Sequence, residues 1–209
     1  MFAGLHIRAN DKYQSTIVLL NPDLQATKVY TFKKDEEFYD IMDRISPSIL
    51  AIGSPTSLPL GLCCLETSCE CKYSITGNKG RISEIQMASM SISCFYTARG
   101  SISKTLIYRS INISNQLNSK GYKVIETYPH ATKSILFQDQ PSHKTELSGF
   151  QNNYPHTYPF LRLQSDISQW DKNTYNAALS AYTAGLHHSQ LTDSLGTPEE
   201  GLVVVPALQ

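Results

Sequence analysis

Residues 1–55 read MFAGLHIRANDKYQSTIVLLNPDLQATKVYTFKKDEEFYDIMDRISPSILAIGSP, and this stretch decides the fold. Three apolar runs, Phe2 to Ala9, Thr16 to Leu20 and Thr27 to Phe32, are separated by loops carrying Asn10-Asp11 and Asn21-Pro22-Asp23. Short β-prone runs broken by Asn, Asp and Pro are the pattern of strands joined by tight turns. From Lys34 to Ile45 the period changes. Phe38, Ile41, Met42 and Ile45 recur at helical spacing behind a cluster of acids, which places negative charge at a helix N-terminus. Ser48 to Ile52 returns to strand and ends at Gly53-Ser54-Pro55.

Outward from that opening, the chain keeps alternating. Ser57 to Gly80 reads as an insertion rich in Pro, Gly and Cys, with few long apolar runs. Ile82 to Met90 reads as a helix. Ser101 to Lys120 is a longer one, with Ile102, Leu106, Ile113 and Leu117 on one face and a Gly121 stop. Tyr122 to Tyr128 is a strand carrying one acid, Glu126, and closed by Pro129. Gln138 to Pro159 reads as a surface loop, Asn173 to His187 as a small-residue helix that packs closely on a sheet, and Leu202 to Val205 as a last strand. Three strands, a helix, then alternating strands and helices predict one α/β domain over 1–209. The architecture expected is ribonuclease H-like, a mixed sheet flanked by helices on both faces, with a Cys-containing insertion at about 57–80. A doubly wound parallel sheet is the alternative with the same alternation.

Composition narrows the function. Of 209 residues, Lys and Arg total 18 and Asp and Glu total 18, and only 17% are charged, against about 25% in ordinary domains. With 41% hydrophobic residues the chain is not mostly disordered. A zero net charge argues against holding nucleic acid through summed charge, while leaving room for a local basic groove. The N-terminus lacks the charged and apolar regions of a signal peptide, and no apolar run approaches the ~20 residues of a membrane span. The expectation is therefore a soluble cytoplasmic protein with no membrane partner. In a reducing compartment, four of the five cysteines crowding into Cys63, Cys64, Cys69 and Cys71 point away from a disulfide framework. They are enough for a structural Zn²⁺ site, although C-C-x4-C-x-C is not zinc-ribbon spacing. The alternatives are buried thiols or an oxidisable exposed pair.

The blocks LPLGLCCLETSCECKY, GRISEIQ, SISCFYTARGSI, YRSI, GYKVIETYPHATKSILF, WDKNTYNAALSAYTAGLH and LGTPEEGLVVVP, from about Pro59 to Pro206, resemble domain-of-unknown-function family 429. The resemblance implies a ribonuclease H-like fold and a predicted metal-dependent nuclease. In such enzymes, carboxylates at the ends of the central strands and one helix hold Mg²⁺ or Mn²⁺, which activates water and stabilises the leaving oxygen. The family pattern has acids in the first strand, in the strand before the Pro-Leu loop, in the EVYP strand and in a DxxDA helix.

Here the corresponding positions read His6, Gly53, Asn173 and Asn176, and the surviving candidates are Glu126 and Glu84. Asn keeps the shape of Asp without its charge, and Gly offers no ligand. The resemblance thus implies a catalytically degenerate member, a pseudoenzyme retained for binding or regulation, with nucleic acid as a candidate partner. Two alternatives stand beside it. One is a working phosphodiester hydrolase with an altered Mg²⁺ or Mn²⁺ site built from His6, Glu84, Glu126 and Asp171. The other is a protein-interaction module presenting the Cys insertion. Arg81, with Lys72, Lys79, Arg99, Lys104 and Arg109, is the candidate substrate-binding rim for phosphates, against a plain solvated face. Asp171 is read either as a partial replacement for the lost acids or as a helix-capping acid.

Overall fold

A computed structural model of the chain describes residues 1–74, 77, 80–136 and 170–208. The expected surface loop at 138–159 and Lys79 lie outside these residues. The elements run β1 (Phe2–His6), β2 (Ser15–Leu20), β3 (Ala26–Phe32), α1 (Asp35–Ile45), β4 (Ile49–Ile52) and α2 (Ile82–Ser89). They continue with α3 (Lys104–Ser119), β5 (Val124–Thr127), α4 (Pro129–Leu136), α5 (Lys172–His188), β6 (Thr192–Thr197) and β7 (Gly201–Pro206).

The seven strands form one mixed sheet in the order β3-β2-β1-β4-β5-β7-β6. β1, β4, β5 and β7 are parallel, while β2, β3 and β6 join antiparallel. The fold is therefore α/β with helices on both faces of a mixed sheet, consistent with a ribonuclease H-like domain. A doubly wound parallel sheet is ruled out by the antiparallel β1-β2-β3 opening.

Each face of the sheet has its own core. α1 and α3 cover one face, where Phe38, Met42, Ile113 and Leu117 pack on Ala3, Leu5, Leu50 and Ile52. α5 covers the other, with Tyr175, Ala177, Ala178 and Ala181 against Phe2, Val18, Ile49 and Ala51. Alternating side chains on each strand feed the two cores in turn. The small residues of α5 matter because the helix backbone lies almost on β1. A Cβ added at Gly4 would stand 2.0 Å from the carbonyl oxygen of Ala177 and 2.2 Å from the nitrogen of Ala181.

Two elements escape the periodicity reading. α4 starts at Pro129, which suits a first helical position as well as a strand stop, and its eight residues are too few for a clear period. β6 reads TDSLGT and buries only Leu195. It exists as an edge strand because β7 pairs with it from Thr192↔Pro206 to Thr197↔Gly201.

Gly4→Ala should cost about 1–3 kcal/mol, because the methyl meets backbone and not a movable side chain. Chemical denaturation of the variant measures this, and a loss below about 0.5 kcal/mol would contradict the close α5–β1 packing.

Candidate functional site

The parallel strands β1, β4 and β5 all end at one edge of the sheet, and the chemistry-bearing residues lie there, but not as one group. On β5, Val124 packs with the α1/α3 core and Ile125 with the α5 core, so alternation sends Glu126 to the α1/α3 side. On β1, Leu5 belongs to the α1/α3 core, so His6 turns to the α5 side. Gly53, just past β4, faces the same way: a Cβ there would meet Ser180 of α5 and Pro129 of α4. The positions expected to converge are thus split by the sheet, with His6, Gly53 and Asn173 on one side and Glu126 on the other.

On the α1/α3 side the centre is Arg81, which is 1% exposed. Its guanidinium grips Glu126 with two nitrogens: Nη1 donates to Oε2 at 2.9 Å and Nη2 donates to Oε1. Its Nε donates to Glu84 Oε1 at 3.2 Å. Glu84 is 1% and Glu126 6% exposed, so this is a buried Glu–Arg–Glu triad. Both carboxylates take further donors. Thr56 donates to Glu126 Oε2 from its backbone N–H at 2.7 Å and its hydroxyl at 2.9 Å. Thr97 donates to Glu84 in the same double fashion, at 2.8 and 2.5 Å. Burial lowers the Arg81 pKa on its own, but Glu126 and then Glu84 outweigh it and raise it, so the cation is secure.

The local sequence makes this possible. Gly80 has a φ of +84°, and a Cβ there would stand 2.3 Å from Glu84 Oε2, so glycine lets the carboxylate fold back over the start of α2. Arg81 then donates its own backbone N–H to Glu84 at 3.1 Å. A third acid completes the arrangement. Glu200, in the β6–β7 turn, accepts from the N–H groups of Leu60 at 2.8 Å and Ile82 at 2.5 Å, while its carbonyl accepts from Ser57 Oγ at 2.5 Å. Glu200, Thr56 and Thr97 are the residues that sequence reasoning missed. Nothing in TPEEG distinguishes a turn acid from a buried acceptor. Beside the triad lies a cavity of about 110 Å³, lined by Gly53, Arg81, Glu84, Glu126, Thr97 and Leu106 among others.

Several expectations are corrected by this geometry. Arg81 is not on a rim, since it is sealed between two carboxylates. Of the other rim candidates, Arg109 bonds Asp35 and the carbonyls of Arg8 and Lys33, Lys104 pairs with Glu66 at 2.6 Å, and Arg99 reaches Cys71, while Lys72 is exposed. Glu84 and Glu126 remain as acids, but their oxygens are spent on protein donors.

On the α5 side His6 lies close to Asn173 and Asp171. Its pKa is pushed down to about 4, chiefly by burial and then by the nearby Arg8 cation. Asp171 is the N-cap of α5, accepting from the Thr174 N–H at 2.8 Å and hydroxyl at 2.7 Å, and its pKa is lowered despite burial by those bonds. Capping is thus the role its geometry displays. Asn176 follows one turn on. A neutral imidazole, a glycine and two amides do not form a carboxylate set for Mg²⁺ or Mn²⁺, which want several free oxygen ligands.

The cysteines do converge. The Sγ atoms of Cys63, Cys64, Cys69 and Cys71 all lie within 4.8 Å of one another, and among the described residues they form the group able to hold a metal ion such as Zn²⁺. Cys63 and Cys69 Sγ are 3.4 Å apart. No described helix is long and apolar enough to cross a membrane. No family model, curated protein or solved structure matches the chain.

Removing Arg81 should be far more damaging than removing an exposed base. Arg81→Met leaves two buried carboxylates unpaired, and urea unfolding should show a loss of about 3–5 kcal/mol. A loss under 1 kcal/mol would mean the triad is not closed in solution. His6 supplies a pH signature. Its folded pKa near 4 lies below the ordinary 6.5, so the unfolded chain binds the proton more tightly. The stability this group contributes is complete above pH 6.5 and is lost as the pH falls toward 4, by up to about 3 kcal/mol. His6→Gln should flatten that part of the stability curve, and an unchanged curve would assign the titration elsewhere.

Proposed function

We propose that this chain is a degenerate, non-hydrolytic member of domain-of-unknown-function family 429, retained in the cytoplasm for binding or regulation with nucleic acid as its ligand class. The observation that carries the loss of hydrolysis is the occupation of Glu126. Both oxygens of the acid that survives at a sheet edge are taken by Arg81 and Thr56, and it lies on the opposite face of the sheet from His6. A two-ion phosphoryl site needs carboxylates gathered around the scissile phosphate. Support for the ancestry comes from the resemblance blocks and from the sheet order, with parallel β1, β4 and β5 ending beside the N-terminus of α5.

The site residues then have structural work. Arg81, Glu84 and Glu126 hold the insertion, α2 and β5 together, and His6, Asn173 and Asp171 fix the start of α5 against β1. Binding without hydrolysis asks only for a stable surface at this edge.

Purified protein incubated with Mg²⁺ or Mn²⁺ should leave single-stranded DNA, duplex DNA and RNA uncut, and fluorescence anisotropy should report binding that persists in EDTA. Divalent-dependent cleavage abolished by Asp171→Asn would establish the altered-site hydrolase instead. Failure to bind any of the three polymers would remove nucleic acid as the ligand class.

A further inference from the structure

The insertion between β4 and α2 has no helix or strand from 53 to 74, yet it supplies Thr56, Ser57 and Leu60 to the buried acids. Its apolar contribution is small: Leu62 and Leu65 pack with Ile107 of α3, with Cys71 and Tyr73 at the edge. A segment of this length without ladder hydrogen bonds requires another source of order.

We propose that Cys63, Cys64, Cys69 and Cys71 bind one Zn²⁺ as a closed tetrathiolate centre that orders the insertion, the segment that also supplies Thr56 and Ser57 to the Arg81 triad. The proposal is independent of the nuclease ancestry. Tetrahedral coordination with Zn–S near 2.3 Å sets sulfur–sulfur distances of about 3.8 Å. Four sulfurs mutually within 4.8 Å already approximate that tetrahedron, and the 3.4 Å pair has to open by only a few tenths of an ångström. Two disulfides would draw the sulfurs into separate pairs, whereas all four here surround one point. An S₄ tetrahedron selects Zn²⁺ or iron among common ions, and four thiolates leave no open position for catalysis.

The surroundings fit the charge of the centre. Four thiols and Zn²⁺ give a complex of charge −2 and release four protons. Arg99 places Nη2 3.5 Å from Cys71 Sγ, and its buried Nε has no hydrogen-bond partner among the described residues. A guanidinium held this way is compensated by an anionic sulfur cluster. The frame is also built from outside. Tyr108 of α3 accepts from the Leu65 N–H at 2.6 Å, Gly100 N–H donates to the Leu65 carbonyl at 2.8 Å, and Tyr73 Oη accepts from the Arg99 N–H at 2.9 Å. These bonds fix the chain on both sides of the thiols. Supporting shells of this kind orient metal ligands.

The test uses the full chain, stripped by chelator under reducing conditions and reconstituted with Zn²⁺ or Co²⁺. Elemental analysis should give one Zn²⁺ per chain, and the Co²⁺ form should show the thiolate-to-metal charge transfer and intense d–d bands of a tetrahedral S₄ site. Zn²⁺ should protect four thiols from a thiol reagent, raise the Tm, and leave Cys94 outside the site, so that Cys94→Ser keeps full stoichiometry. Cys69→Ser should weaken Zn²⁺ binding at least about tenfold. The proposal is overturned by a Co²⁺ spectrum without thiolate bands, by bound iron in place of zinc, or by two disulfides and no metal. These readouts on the unmutated chain decide the matter even if Cys69→Ser fails to fold.

Discussion

Arg81 is the residue on which the sheet edge depends. A fully buried guanidinium is tolerated only where its charge and its donors are met, because an unpaired ion in the interior costs several kcal/mol. Here the partners come from α2 itself, from the end of β5 and from the insertion, so one cation ties three separate segments. The triad carries formally one excess negative charge, and the backbone and hydroxyl donors of Thr56 and Thr97 spread it. The net gain in stability over an apolar filling is small by the same reasoning. What the arrangement fixes is the placement of α2, whose Arg81 and Glu84 are bound to β5 and to the Thr97 segment at the same time.

The same constraint explains why this edge of the sheet has two unlike sides. A strand sends alternate side chains to opposite faces, so acids on neighbouring strands meet only when their registers agree in parity. Ile52 is paired with Glu126, which puts Glu126 one residue short of the level of Gly53 and on the other face. On the α5 side, small residues and a neutral His6 allow the helix to sit on the backbone of β1. The charges near His6, those of Arg8, Asp171 and Lys172, lie at the ends of β1 and α5 and form no buried cluster like the one around Arg81. The low charge content of the chain is therefore unevenly spent, with its most buried ions gathered around one arginine.

Much of the fold was readable because its signals are local. The strand–turn–strand opening, the α1 stripe of Phe38, Ile41, Met42 and Ile45, and the small-residue α5 all show in windows of a dozen residues. α4 and β6 do not, because one is short and begins with a residue that also ends strands, and the other is specified by its partner β7. At the site, Glu84 and Glu126 could be singled out as positions, but not their state. Arginine usually lies at the surface, so Arg81 reads as a rim base until its partner 45 residues away is in place. The cysteines are the converse case. Their grouping is dense and local, and the sequence brings them within eight positions of one another before any folding is considered.

The contacts of the triad and of Glu200 span 45, 70, 118 and 140 residues of chain. Closing loops of that length carries an entropic cost shared with the pairing of β4, β5 and β7, which joins the same distant segments, so the triad bonds and the sheet depend on one another. In the unfolded chain the three acids and the arginine are hydrated, and that hydration has to be replaced by the bonds they make to one another and to backbone donors. Water leaves these charges only where all of the distant segments meet, so the stability of this edge belongs to the fold as a whole and not to any one segment.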